Sequence, residues 1–187
     1  MGYSAFVFDF FGVICSEVAP FWLEKYLPRA DAWEIKSTMV DAADRGLISQ
    51  GALFSALAER SHMTPEEVEQ EWMSYVRIDE KLVCLVENLR PKFKVGLLTN
   101  SPAPFVRRIL NEHSFEGLFH SIIVSSEHGC AKPDPAIYQK MLHTLQVDPP
   151  SAVMIDDNPK NVAGAIAVGM GGLLFESTAQ LESVLPG

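Results

Sequence analysis

The stretch Ala5-Phe6-Val7-Phe8-Asp9-Phe10-Phe11-Gly12-Val13 decides how the chain reads. Four apolar residues in succession suit a strand buried on both faces, as in a parallel sheet. The carboxylate that closes the run does not belong inside such a strand, because stripping water from an unpaired charge costs several kcal/mol. It fits the carboxyl end of a central strand, the edge at which open α/β sheets bind their ligands.

Working outward, apolar runs at residues 95–98, 122–124 and 153–155, with a weaker one at 172–175, predict further strands. Helical patterns at 104–111, 135–145 and 161–168 alternate with them. This alternation specifies an α/β fold: a Rossmann-like parallel sheet with helices on both faces and every strand ending on the same edge. Residues 16–84 break the rhythm, with no strand-like run. Thr64-Pro65-Glu66-Glu67 joins a capping box to proline at the first helical position, and Ser49 precedes helical spacing of Leu53, Phe54, Leu57 and Ala58. The segment reads as an all-helical cap, residues 16–84, inserted into a core formed by 1–15 and 85–187. Trp22, Trp33 and Trp72 fall within it and are expected to pack between its helices.

At 187 residues the chain fits one domain with a modest insertion, and 48% hydrophobic residues are those of a folded globule. A formal net charge of -9 argues against nucleic acid or anionic membrane as partner and suits a bound divalent cation. Cys15, Cys84 and Cys130 show no metal-ligand or redox spacing, which suits reduced thiols. The first basic residue is Lys25 and Asp9 interrupts the early apolar run, so neither a signal peptide nor a membrane span is supported. The expectation is a soluble, cytoplasmic protein.

Three more polar signals stand at or beyond later strands. Thr99-Asn100-Ser101 offers a hydroxyl and main-chain amides before a helix, suited to holding a phosphoryl group, although the same residues serve ordinary turns. Lys132, in Ala131-Lys132-Pro133-Asp134-Pro135, sits at the mouth of a helix, where an ammonium can neutralise phosphate and orient a carboxylate. Asp156-Asp157-Asn158 closes a buried run; adjacent carboxylates repel, a hard cation such as Mg²⁺ relieves them, and helix capping accounts for one acid but not both.

The order Asp9, Thr99, Lys132, Asp156-Asp157 at successive strand ends resembles the haloacid dehalogenase superfamily. The match covers nearly the whole chain and is closest to the small helical-cap phosphatases, a branch that includes sugar-phosphate phosphatases and the amino-terminal domain of soluble epoxide hydrolases. The resemblance implies Asp9 as nucleophile forming an aspartyl phosphate, with Thr99 and Lys132 catalytic and Asn100 and Phe11 against the substrate. It also implies Mg²⁺ held by Asp9, the Phe11 carbonyl, Asp156 and Asp157, and a small phosphorylated metabolite as substrate; the chain is expected to be a monomer or homodimer, a choice the sequence leaves open.

One position departs from the pattern. Family phosphatases usually carry a second aspartate, the general acid and base, where this chain has Phe11. Phenylalanine transfers no proton, and loss of a general acid typically costs about 10²- to 10⁴-fold in rate. Three readings stay open: a weakened phosphohydrolase, favouring leaving groups that depart unprotonated or borrowing an acid such as Glu17 or His128; a metal-independent haloacid dehalogenase; and a catalytically silent ligand- or partner-binding protein. Asp156-Asp157 counts against the second, since uncompensated acids repel a haloacid.

Overall fold

The computed structural model describes residues 2–185. Five strands form one sheet: β1 (Ala5–Phe8), β2 (Lys94–Thr99), β3 (Ser121–Val124), β4 (Ala152–Asp156) and β5 (Gly171–Leu174). Their order is β3-β2-β1-β4-β5, and every pairing is parallel. β1 lies at the centre with Phe8 opposite both Leu97 and Ile155, so the residues that follow β1 and β4 emerge side by side. The expected Rossmann-like α/β architecture is what the chain adopts.

Alternation along the strands assigns the two faces. Phe6, Phe8, Val95, Leu97, Val153 and Ile155 belong to one apolar cluster; Ala5, Val7, Leu98, Ala152 and Met154 belong to the other. The second face is covered by α8 (Pro135–Leu145) and α9 (Pro159–Ala167). A β-carbon at Gly96 would lie 2.7 Å from Met141 Sδ, so the missing side chain lets α8 lie close on β2. The first face is covered by α6 (Glu80–Leu89), α7 (Ala103–Glu112) and α10 (Thr178–Val184).

Between β1 and α6 the chain is helical. It forms α1 (Ala19–Tyr26), α2 (Arg29–Ile35), a π-helical turn (Lys36–Val40), α3 (Asp41–Asp44), α4 (Gln50–Ser61) and α5 (Pro65–Ser74). The capping box is made: Glu67 N–H donates to Thr64 Oγ1 and Thr64 N–H to the Glu67 carboxylate. Ser49 caps α4 by accepting from Ala52 N–H at 3.1 Å. Trp22, Leu53, Leu57, Val68 and Trp72 join the same apolar cluster as the first sheet face. Each such side chain contributes roughly 1.5–3 kcal/mol over its exposed state, so the insert is fused to the sheet by its own core.

Two details differ from the sequence expectation. Helix α6 runs from Glu80 to Leu89 and packs on β2 and α10, so the division drawn between 84 and 85 falls inside a helix. Trp22 and Trp72 are buried, but Trp33 is 74% exposed and stands at the rim of a cleft. Among the described residues no helix is long and apolar enough to cross a membrane. The three cysteines are unpaired.

Candidate active site

The strand ends open into a cleft of about 550 Å³ between the sheet edge and the helical insert. Its floor begins with Asp9, directly after β1, whose N–H donates to Ile155 O and continues the pairing with β4. Asp9 Oδ1 accepts from Phe10 N–H at 2.7 Å and lies 2.7 Å from Lys132 Nζ. Burial pushes the Asp9 carboxyl well above the usual range; Lys132 opposes the shift and Asp156 adds to it.

Asp156, the last residue of β4, is fully buried and holds three donors: Lys132 Nζ at 2.7 Å, Asn158 N–H at 2.9 Å and Asn161 Nδ2 at 3.0 Å. Lys132 is only 4% exposed, and its ammonium bridges the two carboxylates. Burial alone would lower that ammonium, but Asp9 and Asp156 outweigh it and the net direction is up, so it stays charged. Neither acid of the Asp156-Asp157 pair caps a helix. That task falls to Asn158, which accepts from Lys160 N–H to start α9.

The acids of Asp9, Asp156 and Asp157 offer oxygens that all lie within 4.8 Å of one another. Burial and the Asp156 charge raise Asp157. Gly12, at φ +80°, passes so close that a β-carbon there would run into the Asp157 carboxylate. Three carboxylates against one ammonium leave an excess of negative charge. All-oxygen donors of this kind fit a hard divalent cation, and Mg²⁺ needs only one or two protein carboxylates beside substrate oxygens.

Thr99 ends β2 with its hydroxyl fully buried and, among the described residues, without a hydrogen-bond partner. A buried hydroxyl seldom goes unpaired, and this one is free to donate, while the cleft lining itself begins at the next residue, Asn100. Asn100 lines the cleft, and its carboxamide clamps the main chain of Lys132, donating to its carbonyl and accepting from its N–H, both at 2.9 Å. Phe11 is half-buried on the cleft wall. Its ring stacks on Phe105 of α7 at 6.1 Å, and Phe105 meets Trp72 of α5 edge-on at 5.6 Å. An aromatic line therefore runs from the loop after β1 into the insert.

Of the two replacement acids, Glu17 lines the cleft, raised by burial and by Asp157 against the opposing Lys36. His128 does not: it lies beside Lys140, 3.2 Å from its ammonium, away from the other site residues. Sequence reasoning missed Asn161, whose amide lies five residues beyond Asp156 and one turn into α9. It also missed the insert's contribution of Trp33, Lys36, Val40, Asp44 and Arg45 to the cleft. A buried polar residue in a short helix, such as Asp44, carries no local signal of where it points.

Residues 3–169 match the family described as haloacid dehalogenase-like hydrolase. The chain is 30% identical over 196 aligned positions to the phosphatase MT3486 of Mycobacterium tuberculosis, covering 96% of this chain and 90% of that protein. It is 27% identical over 143 positions to the sesquiterpene phosphatase astK of Aspergillus oryzae, covering 74% and 73% respectively. A haloacid dehalogenase family enzyme of Bacteroides thetaiotaomicron, solved with magnesium and inorganic phosphate, shares the fold with a TM-score of 0.81 at 20% identity, over 96% of this chain and 99% of that one. The chain belongs to the haloacid dehalogenase-like hydrolase family and is a hydrolase whose relatives include phosphatases.

Proposed function

We propose that the protein is a Mg²⁺-dependent phosphohydrolase that acts on a small phosphorylated metabolite through an aspartyl phosphate formed on Asp9. The observation that carries this reading is the clustering of Asp9, Asp156 and Asp157 within 4.8 Å of one another, with the buried Lys132 ammonium pairing the first two and the unpartnered Thr99 hydroxyl at the neighbouring strand end. Two named phosphatases among the relatives, and a magnesium and phosphate complex of a protein with this fold, support it.

Asp9, Asp156 and the main-chain carbonyl of Phe11 would hold Mg²⁺, with Asp157 alongside. When bound, the ion supplies positive charge against the carboxylates and the phosphoryl oxygens. Asp9 attacks phosphorus in line, forming an O–P bond as the bond to the ester oxygen breaks, so one hard displacement becomes two easier ones. Lys132, the Thr99 hydroxyl and the Asn100 main-chain amide stabilise the equatorial oxygens as charge spreads over them. The insert walls the cleft against water and sets selectivity. Phe11 contributes shape and no proton, so the rate depends on the leaving group unless another acid serves it.

A haloacid substrate is disfavoured here, since its own carboxylate would meet three others. A purely silent module is disfavoured by a lysine buried and fixed between two acids. The test is phosphate release from a panel of phosphate monoesters, with Mg²⁺ or chelator, beside a 2-haloacid control. Release that needs Mg²⁺ and vanishes in Asp9→Asn is expected. Halide release indifferent to chelator, or phosphate release that survives Asp9→Asn, overturns the reading.

A further inference from the structure

Transfer of a phosphoryl group from an alkyl ester needs a proton for the departing alcohol, and Phe11 has none to give. Beyond the clustered acids, three carboxylates line the cleft: Glu17, Asp41 and Asp44. Asp41 is exposed and paired with Lys36 Nζ at 3.0 Å. Asp44 is buried, and the same ammonium lies farther from it, at 3.7 Å. Its main chain is fixed from the core. The Asp44 carbonyl accepts from Ser125 Oγ, which itself accepts from Ser101 N–H at 3.0 Å. Two residues on, Gly46 at φ +70° passes so near the Ser126 carbonyl that any side chain would collide. The Asp44 main chain is thus tethered to the loops that follow β2 and β3.

We propose that Asp44 is the general acid and base of the reaction, supplying from the insert the proton that position 11 no longer provides. This rests on the phosphohydrolase reading above. As Asp9 bonds to phosphorus and the P–O bond to the substrate breaks, the Asp44 carboxyl passes its proton to the ester oxygen, and the alcohol leaves. Asp44, now a carboxylate, takes a proton from water as that water's oxygen attacks the acyl phosphate. The P–O bond to Asp9 breaks, its electron pair returns to the Asp9 carboxylate, and phosphate departs.

Burial pushes the Asp44 carboxyl up to about 6, against Lys36 and with Asp41. The charges facing it are Lys36 and Asp41 on its own helical run, Glu17 before α1, and Lys132 on the floor. Glu127, on the turn that Ser125 opens, is engaged by Arg107 at 2.8 Å. A carboxyl placed there exchanges protons near neutrality.

The test uses the full chain with Mg²⁺ and esters of graded leaving group: 2,4-dinitrophenyl phosphate, phenyl phosphate and glycerol 1-phosphate. Asp44→Asn should lower kcat/KM on glycerol 1-phosphate by about 10²- to 10⁴-fold while changing 2,4-dinitrophenyl phosphate by less than about tenfold. Retained turnover of the activated ester reports a folded, loaded site. The fall of wild-type kcat/KM on the alkyl ester above about pH 6 should vanish in the variant, and Asp44→Glu should restore part of the alkyl activity. An equal loss on every ester, or none, overturns the assignment while leaving the phosphatase reading intact. A wild-type chain that hydrolyses none of the three overturns both.

Discussion

The carboxamide of Asn100 and the main chain of Lys132 exchange two hydrogen bonds of 2.9 Å, reproducing a rung of sheet ladder beyond the end of β2. The rung sets where the Lys132 side chain begins. Asn100→Ala would leave two main-chain groups unpartnered, at a cost of about 1–3 kcal/mol. Through the displaced ammonium it should lower kcat roughly 10- to 100-fold. Asn100→Asp keeps the acceptor and should lose less. Thermal melts paired with steady-state kinetics check this; an unchanged kcat in the alanine variant would show that the clamp is dispensable.

Thr99→Val separates stability from turnover. Valine matches the shape of threonine and removes a buried hydroxyl that has no partner. Stability should hold or rise by up to about 1 kcal/mol, while activity falls by roughly 10-fold or more for want of a donor to the phosphoryl oxygens. A variant that melts earlier yet turns over normally would place the hydroxyl in the fold and not in the chemistry.

Phe11→Asp restores the family's usual residue at a wall that now stacks on Phe105. Losing a half-buried ring costs about 1–3 kcal/mol of stability. Turnover of alkyl phosphates should nevertheless rise, and rise most in the Asp44→Asn background, where no other acid competes. Rates on glycerol 1-phosphate in the two single variants and the double variant measure this. No gain in either background would mean that position 11 cannot reach the leaving oxygen.

The pH dependence of stability has a definite sign. Folding raises the Asp44 carboxyl from 3.8 to about 6, so its contribution is complete below the lower value and lost as pH climbs through the upper one. Between about pH 5 and pH 7 the wild type should lose on the order of 1 kcal/mol relative to Asp44→Asn. Asp9 and Asp157 are raised in the same direction, so Mg²⁺ should elevate the melting temperature more at about pH 7.5 than at about pH 5.5, where protons compete for the same oxygens. Denaturant melts across that range, with and without Mg²⁺, decide it. A shift of equal size at both values would argue against carboxylate ligation.

Much of this was legible in the text because the signals were local. Three of the apolar runs that became strands give way to a polar residue: Asp9 directly follows β1, and Thr99 and Asp156 end β2 and β4. Parallel crossovers then bring the strand ends to one edge without further information. The insert was legible as helices and not as a surface. Trp33 reads like Trp22 and Trp72, yet it lies on the outside, because which side of a helix meets its neighbours depends on packing set far away in sequence. Asn161 was hidden for a similar reason: its role exists only once α9 folds back over the end of β4. His128 looked eligible by its nearness in sequence to Lys132, but the turn it ends carries it toward α8.

The π-helical turn at Lys36–Val40 joins α2 to α3 without breaking the helical run. One residue more than an ordinary turn advances everything downstream by about 100° around the axis. Spacing, and not side-chain chemistry, therefore aims Asp44 and Arg45 inward. Excising a single position from that turn would keep the helix and every acid in the protein, yet swing both residues off the cleft. A length change there is expected to cost turnover of alkyl esters as the Asp44 substitution does.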